Sequence, residues 1–564
     1  YKKLKKDEEV FLKAGIKKRI IQLLKDGEEE ALFSKTLATI RRDAPIHFVI
    51  PEKVWREDVD MKKVQELFVE FEFRTLAGKF AEVLSIDMPE ELSVSASPEE
   101  IREIGLLLWI VDSNKTTPTL EDILSYTRAN NISDARKYLE KMIKDQDLSF
   151  VVDSIEMPLL PICQRMTETG IKIDVKRLEE LSVKYHKEVS SLEKQIWKIV
   201  GEEFNIASPK QLGEMLFVKM GLKAKNQKKT ASGGFSTKES ELEKLKDEHP
   251  IAGLILEYRE LAKLLGTYID TIPKLVDVNN RLHSEFLQAG SATGRMASQN
   301  PGIQNIPNRT ELGREIRKSF IAEKGYKLVT FDYSQIELRI AAFLSGDKKL
   351  IEIFKEGLDV HTAVACEVFG VDPKDVTKEM RSKAKTINFG VMYGMGVTAL
   401  QKNIGTNREE AQQFLDGYFN KFSGLAEYLE RVKRETAQKG YTETFFGRRR
   451  YFPDIHSKLP FMKASAERMA INAPIQGTEA DIIKLAMVEI DKYLENKGLR
   501  DDVRMLLQVH DELVFEIREK LVDVVAPEIK RMMEGVIDTK KTSGIVMLTE
   551  CSAGDNWVET KKVL

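Results

Sequence analysis

Two stretches of the sequence each contain an apolar, strand-like run that ends in acidic residues. Residues 327–332 end in Asp332, and residues 505–512 end in Asp511 and Glu512. A carboxylate beside a buried strand is costly unless a cation or hydrogen bonds compensate for its charge. Mg²⁺ commonly takes one or two carboxylates and completes its coordination with phosphate oxygens. We therefore predict that Asp332 and Asp511 meet across a sheet and hold a divalent cation.

The spacing of these acids leaves a second interpretation equally open. Asp511 and Glu512 could form only the hairpin turn between two paired strands, without any metal. Either segment alone is weak evidence, because the metal site requires that both come together.

Between these two stretches, four side chains recur at every fourth position of a helical pattern. They are Arg381, Lys385, Phe389 and Tyr393. Each step turns the helix face by only about 40°, so the four form one stripe. Cations on the first turns can hold a triphosphate, and an aromatic ring farther along can stack on a base. From the spacing alone, an amphipathic helix with core aromatics and solvated cations is the commoner alternative.

Two further features carry weaker signals. His361 follows Asp359 at a predicted loop-to-helix boundary, and a lone histidine is more often structural than catalytic. The run Arg448, Arg449 and Arg450 lies among aromatic residues, a pattern that suits contact with a nucleic-acid backbone. A bare run of charge is more often solvated surface.

The elements that must position these residues change along the chain. Residues 1–57 predict short amphipathic helices, and residues 58–150 are mixed. Long helical patterns dominate residues 155–285, interrupted by the basic, glycine-containing stretch 223–234. That stretch is predicted to be a mobile loop, either a solvated hairpin tip or a phosphate-backbone contact. From residue 286 onward, strand-like segments alternate with helices.

Length and composition set broad limits. A chain of 564 residues is too long for one core, so we expect several domains. The net charge of -2 gives no overall signal for nucleic acid, and only local basic patches could supply one. Three widely spaced cysteines favour a reducing compartment, and no membrane segment or signal peptide is predicted. Because the chain begins with Tyr1 rather than Met, we expect a fragment.

Taken together, these residues resemble family A DNA polymerases, the bacterial DNA polymerase I group, over roughly residues 155–564. The resemblance rests on four blocks in the family's order and a fifth between the last two. The four are SATGR at 291–295 with QNIP at 304–307, DYSQIE at 332–337, residues 381–393, and QVHDE at 508–512; the fifth is NAPIQGT at 472–478.

The resemblance implies an α/β multidomain chain with a right-hand polymerase fold in residues 151–564. An antiparallel palm sheet would occupy about 286–340 and 490–564, helical fingers about 341–485, and a helical thumb about 206–285. Residues 58–150 would be a reduced, inactive 3′-5′ exonuclease-like domain. Residues 1–57 would be the helical C-terminal remnant of a 5′-nuclease domain.

The same resemblance implies roles in the reaction. Asp332 and Asp511, with the backbone carbonyl of Tyr333, would bind two Mg²⁺ ions, for which Mn²⁺ could substitute. The catalytic residues would be these two acids with Lys385 and Glu512. Lys385 would protonate the leaving pyrophosphate.

Nucleotide and DNA contacts are implied in the same way. The incoming dNTP would be bound by Arg381, Lys385, Phe389, Tyr393, His361, Gln335 and Glu337, with Glu337 as the steric gate against a ribose 2′-hydroxyl. Primer-template DNA would be bound by Arg295, Asn305, Asn472, Gln476, His510, Arg259, Lys263 and Arg468. Arg295, Asn472 and Gln476 would read minor-groove acceptors that all correct base pairs share. The resemblance also implies a monomer that acts in replication and repair in the bacterial cytoplasm.

The sequence departs from the family pattern in two places. Residue 382 is Ser where many relatives have a second Arg, which puts one fingers contact in doubt. Residues 58–150 contain no Asp-x-Glu and are too few for a full proofreading domain. We therefore predict that the chain does not proofread.

Two other classes of protein compete with this interpretation. A single-subunit RNA polymerase would share the palm and its metals, but it must admit the 2′-hydroxyl that Glu337 is expected to exclude. A degenerate, non-catalytic DNA-binding module would be expected to have lost a carboxylate or Lys385, and this chain retains Asp332, Asp511 and Lys385.

Overall fold

The computed structural model describes residues 6–39, 96–223 and 233–563, together with positions 4, 60, 63, 64 and 67. The chain divides into two compact units, Tyr1–Met88 and Pro89–Leu564. The described part of the first unit contains the helices Glu9–Lys13, Lys18–Asp26 and Glu28–Ala38. The helical prediction for this part is confirmed. Most of residues 40–95 lie outside the described part of the chain, and with them much of the predicted exonuclease-like domain.

The second unit begins with three helices, Pro98–Val111, Leu120–Thr127 and Ile132–Asp145. Two of them start with reciprocal capping boxes, Ser97 with Glu100 and Thr119 with Asp122, which satisfy the first free N–H groups of each helix. The apolar run at 105–111 forms the buried half of the first helix and builds a separate small core.

Residues 151–285 are mostly helical, and the long helical patterns predicted for 155–285 are interrupted by the short strands Ile171–Ile173 and Arg281–Leu282. The helices are Val151–Glu156, Met157–Thr169, Val175–Val200, Pro209–Gly213, Glu214–Lys219, Glu239–Leu242, Glu243–Leu245, Ile251–Leu264, Leu265–Ile269 and Ile272–Leu275. The long helix Val175–Val200 presents Leu181, Tyr185 and other apolar residues at helical spacing to a shared core. Of the basic stretch 223–234, residues 224–232 lie outside what the structure describes.

The centre of the second unit is an antiparallel sheet of five strands, in the order β12-β11-β6-β10-β9. Its strands are β6 (Tyr326–Tyr333), β9 (Val503–Val509), β10 (Glu512–Arg518), β11 (Thr549–Gly554) and β12 (Thr560–Lys562). Strand β6 lies in the middle and is buried on both faces between Leu328 and Phe331, which explains its unbroken apolar run.

Smaller sheets and the remaining helices surround this centre. A three-stranded sheet joins β1 (Ile171–Ile173), β2 (Arg281–Leu282) and β5 (Phe320–Ile321), and two hairpins join β3 (Glu285–Leu287) with β4 (Ala297–Gln299) and β7 (Tyr441–Glu443) with β8 (Arg449–Tyr451). The helices are Ile303–Asn305, Glu311–Arg317, Ile336–Ser345, Lys348–Lys355, Val360–Phe369, Pro373–Asp375, Lys378–Met392, Val397–Ile404, Arg408–Lys421, Ser423–Lys439, Pro453–His456, Pro460–Asn496, Glu519–Leu521 and Val522–Glu534.

A buried cluster of charges joins the helix Val151–Glu156 to the long helix Pro460–Asn496. Arg448 donates hydrogen bonds to Glu156 and, through Nε, to Asp481 at 2.7 Å. Lys484 Nζ donates to Glu156 at 2.5 Å. Two acids and two bases thus neutralise one another where water is excluded, which is the condition under which buried charges are tolerated.

The first residue of the arginine run, Arg448, is therefore neither solvated surface nor a nucleic-acid contact, the two interpretations drawn from the sequence. Arg448 is buried, and its guanidinium lies 5.0 Å from the centre of the Trp109 ring. It contacts neither solvent nor a position open to nucleic acid, because Glu156 and Asp481 take up its charge. The local sequence gave no sign of these partners, since both are distant along the chain.

Candidate active site

The sheet brings the predicted acids together at one end of its central strands. Asp332, the next-to-last residue of β6, lies directly opposite Glu512 of β10 and Glu550 of β11. Strands β9 and β10 are joined by His510 and Asp511, with His510 in the left-handed region at φ 56°. The backbone N–H of Tyr333 donates to the carbonyl oxygen of Asp511 at 3.2 Å. Asp511 thus lies in a hairpin turn, and this turn places it beside the end of β6.

The two carboxylates lie in an environment that disfavours their charge. Asp332 is exposed, lines a cleft and has buried residues on either side of it in the strand. Burial, followed by the charges of Asp511, Glu512 and Glu550, raises the pKa of Asp332 to about 8. Burial also raises the pKa of Asp511. Carboxylates that face one cleft and have no ion pair among the described residues fit a hard divalent cation such as Mg²⁺.

Protons and Mg²⁺ should compete for Asp332. The pKa of Asp332 is about 8 in the folded chain and about 4 in the unfolded chain. Between those two pH values, the metal-free folded chain therefore keeps a proton that the unfolded chain has lost. Its stability therefore falls as pH rises through that window, and stabilisation by Mg²⁺ grows. We expect calorimetry to record a larger Mg²⁺-induced rise in unfolding temperature at about pH 8.5 than at about pH 6.5. Equal rises, or the same rise in Asp332→Asn, would contradict the metal site.

These acids line a cleft of about 880 Å³ together with the predicted helical stripe. The helix Lys378–Met392 ends at Tyr393, and Gly394 follows in the left-handed region at φ 64°. A Cβ on this glycine would lie 2.8 Å from the end of the Ile471 side chain, and the left-handed backbone would strain any larger residue here. The predicted site residues that line the cleft are Arg295, Asn305, Asp332, Tyr333, Gln335, Glu337, His361, Arg381, Lys385, Phe389, Tyr393, His510 and Asp511.

The two cations of the stripe have different surroundings. Arg381 forms a two-pronged ion pair with Asp359, from Nε to Oδ1 at 3.1 Å and from Nη2 to Oδ2 at 2.7 Å. Burial alone would raise the pKa of Asp359, but hydrogen bonds from Arg381 and Thr362 outweigh it and lower that pKa. Lys385 is exposed and has no ion pair within the described residues. Lys385 is therefore the cation that is free to meet an anionic ligand.

His361 is buried beside this stripe and is neutral at physiological pH. Burial lowers its pKa to about 4. The charge of Asp359 opposes this shift, and the charges of Arg381 and Lys385 add to it. Asn388 Nδ2 lies 3.1 Å from His361 Nδ1, so the amide donates to that nitrogen and Nε2 carries the proton. His361 can thus donate a hydrogen bond to a phosphate oxygen but adds no positive charge.

Glu337, the predicted steric gate, lies at the centre of a hydrogen-bonded network. Its carboxylate accepts from Arg295 Nη2 at 2.8 Å and from the Tyr393 hydroxyl at 2.8 Å. The same Nη2 of Arg295 also donates to Glu479. The network links the start of helix Ile336–Ser345 to the end of helix Lys378–Met392, across the floor of the cleft.

Other predicted site residues lie outside this cleft. Glu512 accepts from Trp557 Nε1 at 3.3 Å, and burial raises the pKa of its carboxyl to about 7. Asn472 is buried, and its Oδ1 has no hydrogen-bond partner among the described residues. Gln476 is half-buried and Arg468 exposed, both on the same long helix as Asn472.

Two predicted DNA contacts lie on a different helix, Ile251–Leu264. Arg259 donates to the carbonyl oxygen of Thr237, and burial lowers its pKa. Lys263 is exposed and lines a separate cavity of about 570 Å³ with Arg259 and Lys238. The structure therefore does not bring Arg259 or Lys263 to the cleft that holds the carboxylates.

The cleft also contains charged residues that sequence analysis missed. Glu550 lies opposite Asp332 only because β11 pairs with β6, which no local pattern reveals. Arg317 lies 4.1 Å from the centre of the Trp557 ring and lines the cleft. Glu479 follows Arg468, Asn472 and Gln476 at helical spacing, so that stripe could have indicated it.

Comparison with known proteins defines the class of protein to which this chain belongs. Residues 175–559 match DNA polymerase family A, and the chain belongs to this family. It is homologous to the polymerase region of bacterial DNA polymerase I. This finding confirms the family that the sequence blocks predicted.

Individual relatives support the same assignment. DNA polymerase I of Pseudomonas aeruginosa is 45% identical over 422 residues, which cover 74% of this chain and 45% of the relative. The thermostable DNA polymerase I of Thermus thermophilus is 41% identical over 469 residues, 81% of this chain and 55% of the relative. The chain thus spans about half the length of these curated relatives.

A solved structure is similar over most of both chains. The POL domain of Pol1 from M. smegmatis, in complex with a DNA primer-template and dNTP, has a TM-score of 0.75 and 34% sequence identity, and 81% of each chain is covered. The chain is therefore a mixed α/β polymerase domain of this type. Among the described residues, no helix combines the length and apolarity needed to cross a bilayer.

Proposed function

We propose that this chain is a DNA-templated DNA polymerase that adds deoxynucleotides to a primer 3′-hydroxyl and releases pyrophosphate. The observation that carries the proposal is the cleft itself. Asp332 and Asp511 line it on the sheet side, and Arg381, Lys385 and Phe389 line it on the helix side. An anionic metal site opposite cations and an aromatic ring matches the charge pattern of a metal-bound nucleoside triphosphate.

Asp332 and Asp511, with the backbone carbonyl of Tyr333, would hold Mg²⁺, or Mn²⁺ in its place. When bound, two such ions would activate the primer 3′-hydroxyl and stabilise charge on the departing pyrophosphate. Asp332 and Asp511 would hold the ions that the primer end and the α-phosphate bind. The 3′-hydroxyl gives up its proton to solvent, its oxygen bonds to phosphorus, and the bond from phosphorus to the bridging oxygen breaks. Positioning of this kind supplies most of the catalysis in phosphoryl transfer.

The helix Lys378–Met392 would bind the nucleotide along its length. Lys385 Nζ donates a proton to the leaving pyrophosphate oxygen, and Arg381 and His361 Nε2 donate hydrogen bonds to the phosphates. Arg381 can do so through the N–H groups that its ion pair with Asp359 does not use. Phe389 stacks on the base, and Tyr393 lies at the template-base position. Movement of this helix toward the sheet on binding the correct nucleotide would complete the site.

The DNA contacts are proposed for residues around the cleft and beyond it. Asn305 and His510 line the cleft, and Glu512, which accepts a hydrogen bond from Trp557, would flank the primer end. Gln335, which also lines the cleft, would contact the nucleotide. The minor groove of the primer-template would lie against Arg295, Asn472, Gln476 and Arg468. The unpartnered Oδ1 of buried Asn472 supports a polar ligand there. Arg259 and Lys263 would contact the backbone farther along the duplex.

Glu337 would select deoxynucleotides by occupying the space that a ribose 2′-hydroxyl needs. Glu337→Ala is expected to raise incorporation of ribonucleotides relative to deoxynucleotides by about a hundredfold, because the clash is removed. Single-nucleotide incorporation with dNTP and rNTP measures the ratio, with Glu352→Ala on the exposed face of the next helix as the control. If the intact chain prefers rNTPs, the RNA polymerase alternative is correct. If the ratio does not change in Glu337→Ala, another residue is the gate.

The domain assignment follows from the same family. We infer a right-hand arrangement in residues 151–564, with palm, fingers and thumb at the boundaries predicted above. The five-stranded sheet, the helices of 341–485 and the helices of 206–285 support these three parts. Residues 58–150 would be a reduced exonuclease-like domain and residues 1–57 a 5′-nuclease remnant. Residues 96–150 form helices joined by turns, without a strand.

The chain is expected not to proofread. Residues 58–150 lack the Asp-x-Glu that a two-metal 3′-exonuclease requires. A primer with a mismatched 3′ end should therefore keep its length when incubated with the chain, Mg²⁺ and no dNTP. Trimming that a chelator abolishes would show that this prediction is wrong.

A monomer in the bacterial cytoplasm, acting in replication and repair, completes the proposal. Its support is the bacterial origin of the curated relatives. The alternative of a non-catalytic DNA-binding module predicts binding of primer-template without extension. Incorporation of a single dNTP on a defined template separates the two.

A further inference from the structure

Arg295 is held by two carboxylates through one nitrogen. Its Nη2 donates to Glu337 at 2.8 Å and to Glu479, and these two glutamates lie on different helices. Its Nη1 forms no hydrogen bond with the described residues and remains accessible, while its Nε is buried without a partner. One side of the guanidinium is therefore fixed, and the other is open toward the cleft.

Glu479 has no evident reason to be buried other than this contact. It is 2% exposed, lies on the helix Pro460–Asn496 and reaches the wall of the cleft. Burial raises the pKa of its carboxyl to about 8, and the charge of Glu337 adds to the shift against the opposing effect of Arg295. A buried acid needs a partner that compensates for its lost hydration, and Arg295 is that partner among the described residues.

The two glutamates hold Arg295 in complementary ways. Glu337 also accepts from Tyr393, on the helix that would move when a nucleotide binds, so this contact can change during the reaction. Glu479 has no such second partner among the described side chains, and it lies on a long helix packed into the core. Glu479 can therefore keep Arg295 in place when the contact with Glu337 is altered.

We propose that Glu479 is a positioning residue that orients Arg295 toward the minor groove at the primer terminus. The inference rests on the proposed polymerase function and adds a residue to it. Glu479 fixes Nη2 from behind, so that Nη1 is presented to the N3 or O2 acceptor of the terminal base. Without Glu479, Arg295 would be held by its hydrogen bond to Glu337 alone and would lose a defined orientation toward the DNA.

A chemical change in the primer tests this role. A primer ending in 3-deaza-dG replaces the N3 acceptor by C–H and otherwise pairs normally. The intact chain should extend the dG primer faster than the 3-deaza-dG primer by on the order of tenfold, the value of one hydrogen bond to a charged group. Arg295→Ala should remove the difference. Glu479→Ala should reduce it at least about threefold, because the hydrogen bond is then poorly oriented.

Three further variants separate positioning from folding. Glu479→Gln keeps an acceptor oxygen for Arg295 and should retain most of the difference, whereas Glu479→Leu fills the buried volume without an acceptor and should behave like Glu479→Ala. Glu489→Ala, on the exposed face of the same helix, is the control and should match the intact chain. Thermal unfolding identifies any variant that fails to fold, and the Leu variant then replaces the Ala variant.

The outcomes are distinguishable. A smaller difference in both Glu479→Ala and Glu479→Leu, restored in Glu479→Gln, supports the proposal. Equal slowing on both primers, with the difference unchanged, would mean that Glu479 is merely structural and would overturn it. If the intact chain extends neither primer, the proposed polymerase function fails and the role of Glu479 fails with it.

Discussion

Replacing Asp511 by Asn should reduce primer extension on the order of a thousandfold, the largest effect of any single change in this chain. The substitution preserves the size of the side chain and removes the charge that would bind Mg²⁺. The turn between β9 and β10 should remain, because its hydrogen bond to Tyr333 uses the backbone carbonyl of residue 511. Folding and DNA binding should therefore persist while the rate falls.

The rate at saturating dNTP on a matched primer measures this effect. Asp555→Asn is a suitable control, since Asp555 is a mostly exposed carboxylate at the edge of the same sheet that pairs with Lys327. Its loss should change the rate by less than about twofold, as is usual for an exposed ion pair. Extension by Asp511→Asn at more than a few per cent of the intact chain would mean that Asp511 does not hold the metal.

Replacing Lys385 by Ala should reduce the maximal rate on the order of a hundredfold, with a smaller effect on the KM for dNTP. Lys385 is the exposed cation of the stripe that has no carboxylate partner in the described chain. Its charge can act on the phosphate that gains charge as pyrophosphate leaves, so it stabilises the transition state more than the bound nucleotide. Arg381→Ala should instead raise KM more, because Arg381 already shares its charge with Asp359.

Single-turnover incorporation over a range of dNTP concentrations separates the two parameters. Lys383→Ala provides the control on the same helix, since Lys383 pairs with Glu379 and does not line the cleft. If Lys385→Ala raised KM and left the maximal rate unchanged, Lys385 would only bind the triphosphate and would not protonate the leaving group.

The parts of the site that sequence predicted are those with a local pattern. Asp332 ends a strand whose apolar run reflects burial on both faces, and Asp511 lies in the turn of the neighbouring hairpin. Arg381, Lys385 and Phe389 follow one face of a helix. Periodicity and strand ends are properties of a short segment, so they can be recognised before any tertiary contact is known.

The parts that sequence missed depend on contacts between distant segments. Glu550 lies opposite Asp332 because β11 pairs with β6, two strands that are far apart along the chain. Glu479 became a candidate only through its contact with Arg295. Arg448 looked like a surface cation, but Glu156 and Asp481 bury it. Charge in a sequence does not reveal its partner, and the partner decides whether a charged residue is solvated, structural or functional.

The most direct test of the account is extension of a labelled primer on a defined DNA template by the intact chain, with Mg²⁺ and all four dNTPs. Template-dependent extension that a chelator stops and that Asp511→Asn lacks is the predicted result. Binding of the primer-template without extension, under the same conditions, would contradict the account and leave a DNA-binding module in place of a polymerase.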